Sequence, residues 1–183
     1  MRIPMREKII QATIKSLKKN HQERFYQTER GYQGRFYCAL QQALDDEGII
    51  IDGLILEMEY QKRENIHHTS QRPDITLHIP VEYSGAERTA NNYAIWALKR
   101  RGYRSGYHRN VTDDFNKLNI MFKKLNYPLG FLIIINSDRH MLDIYEGEFR
   151  DRIISFAVKL NNGAILIKQA YFQGNMIIEN DIS

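Results

Sequence analysis

Cysteine is nearly absent, with Cys38 alone among 183 residues. A single cysteine cannot form an internal disulfide. Without a CxxC pair, neither a structural zinc site nor a secreted disulfide framework suits the chain. No apolar run reaches the length of a membrane helix. The opening stretch MRIPMREKIIQ has no apolar centre of the signal-peptide kind, so the expectation is a cytoplasmic protein. The paired-histidine spacing of zinc proteases is missing too. His67 and His68 are adjacent in a polar loop and point apart in an extended chain; with His78, His108 and His140 they make a poor metal site.

The composition, 43% hydrophobic and 26% charged, is that of a globular chain, read as a single domain over 1–183 with a sizeable core. The net charge of +4 is modest but unevenly spread. From Lys99 to Arg109 the chain reads KRRGYRSGYHR, with five Lys or Arg and no acid. Basic residues interleaved with tyrosines favour a polyanionic partner.

Periodicity gives the elements. Residues 1–28 form an N-terminal helical segment, with an apolar stripe at Met5, Ile9, Ile10, Ile14 and Leu17. His21 to Gln27 reads as a connection to Thr28, an N-cap for a helix over Glu29 to Leu44 whose apolar face is Tyr32, Phe36, Ala39, Leu40 and Ala43. Gly31 and Gly34 weaken its first turns, as a close approach by backbone or ligand would explain. Gly48 follows as the residue past the helix end. One or two strands are expected over Ile49 to Ile55 and Leu56 to Gln61, with a break at Asp52-Gly53, then strands over Asp74 to Tyr83 and Tyr93 to Leu98, the last two as a hairpin. Val111 to Asp114 opens a helix, capped by Thr112 or Asp113, with a stripe at Phe115, Leu118, Met121, Phe122 and Leu125. Gly130 to Asn136 is apolar throughout, a strand of a sheet covered on both faces. Residues 137–183 give a helix over Glu148 to Leu160 and a strand over Ala164 to Phe172. The class is α/β: a mixed central sheet flanked by helices, with its core over 29–136.

Two stretches carry the chemistry. Arg72-Pro73-Asp74 places an acid at the start of an alternating strand, and YAIWALKRR is an apolar strand ending in Lys99, Arg100 and Arg101. Asp74 and Lys99 therefore fall on neighbouring strands facing a basic surface, an arrangement that suits chemistry on a phosphodiester. Pro73-Asp74 followed by Lys99 resembles the motif of the PD-(D/E)XK nucleases. The resemblance implies a restriction-endonuclease-like α/β sandwich that hydrolyses DNA with Mg²⁺ or Mn²⁺. In that family Asp74 would be a metal ligand, the Leu98 carbonyl another, and Lys99 would orient water or stabilise developing charge. An acid from the preceding helix joins them; Glu29 matches it best, with Glu57 and Glu59 next.

One position departs from the pattern. Ala97 stands where the family has a carboxylate, and a methyl group gives a metal nothing. The chain as written is expected to be inactive, either as a natural pseudonuclease or through a deliberate Glu→Ala change. The retained Lys99 favours the second. Arg100, Arg101, Arg104, Arg109 and Lys117 would contact phosphates, with Lys123 and Lys124 on the same helix, and Tyr103 and Tyr107 would stack or hydrogen-bond. The expected partner is DNA, with RNA open. A homodimer is one way for a single-site enzyme to cut both strands. The alternative function is a non-catalytic nucleic-acid-binding module on the same fold.

Overall fold

Among the described residues of the computed structural model, seven strands form one mixed sheet in strict chain order, β1 to β7. The structure describes residues 3–50, 53–59, 72–80, 91–101 and 107–182, and at 3 and 107–109 the backbone only. β1 (Ile55–Met58), β2 (Ile75–His78) and β3 (Asn92–Arg100) are antiparallel neighbours. β3, β4 (Gly130–Ile135) and β5 (Ile153–Asn161) run parallel. β6 (Ala164–Gln173) and β7 (Met176–Ile182) complete an antiparallel meander.

Helices cover both faces, which is why β4 is buried at every position and reads as an unbroken apolar run. α1 (Ile3–Lys18) and α2 (Glu29–Asp46) pack on one face, where Tyr32, Phe36 and Leu40 meet Ala94, Trp96 and Leu98. α3 (Tyr107–Leu125) lies on the other, with Phe115, Leu118 and Phe122 against Ile95, Leu132 and Ile134. Alternation along β3 thus sends Trp96 to the first core and Ala97 to the second. Trp96 also donates its indole N–H to Thr13 Oγ1 at 3.1 Å, tying α1 to the sheet.

The α2 boundaries follow the sequence expectation. Thr28 Oγ1 accepts from Gly31 N at 3.0 Å. A side chain at 31 would collide with that hydroxyl, since a Cβ there would lie 2.7 Å from it. The close approach that Gly31 permits is therefore to its own cap, whereas nothing lies within 4 Å of a Cβ built at Gly34. At the other end Gly48 adopts φ +63°. Its N–H bonds Asp45 O at 2.9 Å and Ile49 N bonds Leu44 O at 2.9 Å, the Schellman pattern.

Several expectations are corrected. Glu148 to Leu160 is not a helix: Arg150–Arg152 is a short 3-10 turn, and Ile153–Asn161 is β5. Ile153, Ile154, Ala157 and Leu160 have helical spacing, but Ile153 to Val158 are all buried, so the run lacks a wet face and fits an inner strand. β7 was absent from the sequence reading. Ile49 and Ile50 are not strand; Ile49 closes the α2 cap, buried in the first core. Finally, α3 begins at Tyr107, so Thr112 and Asp113 are interior residues, not caps. Val111, fully buried, extends the apolar stripe back by a turn and outweighs their capping preference. β2 is short, and β3 extends past both expected ends.

Candidate functional site

Ile75 stands opposite Trp96 and Thr76 opposite Ile95, so Asp74, just before Ile75, and Ala97, just after Trp96, lie at the same end of the β2–β3 pair. Ala97 projects to the α3 side, into the second core. Between Asp74 and Ala97 on the sheet and Asp114, Lys117 and Leu118 on α3 is a hollow of about 20 Å³, room for about one water.

Asp74 is held from three directions. Its Oδ2 accepts from Leu98 N at 2.6 Å. Its carbonyl accepts from Glu59 N at 2.8 Å and from Gln33 Nε2 at 3.1 Å. Burial pushes its carboxyl up to about 6; the Leu98 N–H works against the rise, and the charges of Asp114 and Glu29 add to it.

Lys99, two residues beyond Ala97 on the same face, reaches acids on both helices. Its Nζ lies 3.3 Å from Asp114 Oδ2 and 3.6 Å from Glu29 Oε1. Burial lowers the pKa of the amine, yet Asp114 and Glu29 outweigh that and hold it above the usual lysine value. Glu29 Oε2 also accepts from Arg100 N at 2.9 Å, so the acid in the first turn of α2 contacts two successive residues of β3. Asp114, only 5% exposed, takes Lys117 on its other oxygen at 3.0 Å.

The residues singled out in the sequence thus divide. Glu29, Asp74, Ala97, Leu98 and Lys99 converge, with Lys117 at the margin. Arg100 donates through Nε to Tyr26 O at 2.8 Å, and Arg101 pairs with Asp138 at 3.3 Å. Tyr103 and Arg104 lie outside the described residues, as do His67 and His68 and the side chains of Tyr107, His108 and Arg109. Glu57 and Glu59, the runner-up acids, are taken by His78 and Arg72 respectively. His140 contacts Glu179 at 3.0 Å, far along the sheet from the other histidine pair.

Two participants were not singled out for the site. In the sequence Asp114 belongs to a helix start, and Gln33 only to a helix pattern. A signal for Asp114 was present: it shares the helical stripe with Leu118, Met121 and Leu125, where a carboxylate is out of place unless partnered.

The donor set of this chain does not fit a divalent ion. Among the described residues no three His, Cys, Asp or Glu side chains form a metal-holding group. Asp114 is occupied by two lysines, and Ala97 offers no oxygen beside Asp74. No family model matches the chain, and no curated protein or solved structure matches it either.

Proposed function

We propose that this is a phosphodiester-hydrolysing nuclease domain of the PD-(D/E)XK kind, acting on DNA, whose metal site is disabled at position 97. The fold we infer is restriction-endonuclease-like, supported by the order of parts. A helix bearing Glu29 is followed by an antiparallel pair carrying Asp74 and Lys99, then by α3 and the parallel strand β4. The carrying observation is that Asp74 and Ala97 line one small hollow, with Lys99 two residues beyond Ala97 paired to Asp114 of the same hollow.

A carboxylate at 97 would enter that hollow beside Asp74 and complete an oxygen-rich pair suited to Mg²⁺ or Mn²⁺. With alanine there, no step runs through a metal. What the present residues do is hold charge: Lys99 sits between two acids, ready to face an anionic oxygen, and Glu29 fixes the end of β3.

A cleavage assay tests the reading. The parent chain and Ala97→Glu are offered plasmid, linear duplex, single-stranded DNA and RNA with Mg²⁺ or Mn²⁺. Cutting by the glutamate variant, abolished by adding Asp74→Ala or Lys99→Ala, is the expected result. If both chains bind DNA but neither cuts, the fold serves as a binding module instead. RNA cleavage alone would change the substrate.

A further inference from the structure

The 3-10 turn Glu23–Gln27, which precedes α2, is bolted to the sheet beside the candidate site. The Tyr26 carbonyl accepts from Arg100 Nε of β3 at 2.8 Å and from Asn136 Nδ2, just past β4, at 2.8 Å. The Tyr26 ring is buried, meets Tyr32 edge-on at 5.0 Å, and donates its hydroxyl to Asn20 O at 3.0 Å. On the α2 side a Cβ at Gly31 would lie 3.7 Å from Phe25 O, so the turn sits against the helical turn that carries Glu29. The turn is therefore fixed at the carboxyl ends of two parallel strands, one residue along β3 from Lys99. Ligands of open α/β sheets collect at such ends.

The outer side of this turn carries a cation over a ring. The Arg24 guanidinium carbon lies 5.0 Å from the centroid of Phe25. Arg24 is exposed and Phe25 half-buried. Arg30, one residue past Glu29, is also exposed, and neither arginine forms an ion pair among the described residues. An aromatic ring and the guanidinium plane lying over it can both stack on a base, and guanidinium N–H groups outside ion pairs can donate to phosphates. A flat ring on an immobile turn serves an unpaired base, because bases inside a duplex are already stacked on one another.

We propose that Phe25 and Arg24 form a platform on which an unpaired nucleotide stacks next to the Lys99 site, with Arg30 on the adjoining phosphate. The substrate class would then be single-stranded DNA or a duplex with an unpaired nucleotide. This proposal rests on the nuclease reading above.

Oligonucleotide binding at low salt tests it, using a single strand, a flush duplex and a duplex with one unpaired nucleotide. Phe25→Leu keeps an apolar side chain and removes the ring. It is expected to weaken single-strand and unpaired-nucleotide binding by at least about fivefold, leaving the flush duplex unchanged. Phe25→Trp is expected to retain affinity. Because Trp96 is the only native tryptophan and is fully buried, quenching of the new indole by single strands reports stacking directly. Equal loss on all three substrates, or a tryptophan that oligonucleotides leave unquenched, overturns the platform. In that case cleavage by Ala97→Glu still stands as the separate test of the nuclease. If no oligonucleotide binds the parent, the platform falls, and the nuclease stands or falls on that same cleavage assay.

Discussion

Lys99 Nζ lies 3.3 Å from Asp114 Oδ2, an ion pair that joins the end of β3 to the first half of α3 and shields the acid from water. The same carboxylate holds Lys117 at 3.0 Å. A buried carboxylate with two cationic partners is costly to disturb from either side. Asp114→Asn keeps the shape but removes the charge, and it is expected to lower stability by about 2 kcal/mol, measured by urea denaturation at pH 7. It carries a second expectation that a purely structural role would not share. Asp114 is one of the charges raising the Asp74 pKa, so NMR titration of the Asp74 carboxyl should show a lower midpoint in the variant. An unchanged midpoint would show that the two acids do not sense one another.

Asp74 itself predicts a pH dependence. Its carboxyl titrates at about 6 in the folded protein against an ordinary 3.8. The folded state therefore binds this proton more tightly than the unfolded chain does. The stability this contributes is fully present below about pH 4 and is lost as pH rises through 6. Asp74→Asn, which can still accept from Leu98 N, removes the titration. The variant should match the parent near pH 4 and exceed it near pH 8 by up to about 3 kcal/mol. A constant difference across that range would place the proton elsewhere.

The contrast between what could and could not be read from the chain has a physical basis. Strands β3 and β4, helices α1 and α2 and the Thr28 and Gly48 caps announce themselves through local pattern: side-chain period, cap chemistry, a glycine at positive φ. Glu29, Asp74 and Lys99 were legible because short motifs placed them at element ends, which the sheet then gathers. The β5 error arose because six consecutive buried residues have no wet face to reveal their period. The Asp114 role depends on how α3 lies across the sheet, a tertiary fact with no local signature beyond one carboxylate in an apolar stripe. Gln33 shows the same limit, since its partner is 41 residues away.

Gln33 is a buried amide whose Nε2 reaches Asp74 O at 3.1 Å, so α2 holds β2 at Asp74 as it holds β3 through Glu29. Gln33→Leu fills similar space and leaves the carbonyl with the Glu59 N–H alone. A stability loss of about 1 kcal/mol is expected. Amide hydrogen exchange should quicken at Leu98, whose N–H bonds the Asp74 carboxylate, and stay unchanged at Phe156 in the middle of β5. Faster exchange at both would indicate general loosening instead of a local hold on Asp74.

Ala97→Glu makes the sharpest demand on the site. The new carboxylate would lie beside Asp74, with Asp114 nearby and a hollow of about 20 Å³ to receive it. Like charges at such distances oppose one another, so without divalent ions the variant should be less stable than the parent at pH 8, and the gap should narrow as pH falls. Added Mg²⁺ should reverse the loss. For a site with a dissociation constant near 1 mM, 10 mM ion stabilises by about 1.4 kcal/mol, or roughly 3–6 °C in Tm for a chain of this size. The parent, whose donors do not fit the ion, should shift by less than about 1 °C under the same conditions. Equal shifts in both chains would mean that Mg²⁺ binds elsewhere, and the role given to position 97 would have to be abandoned.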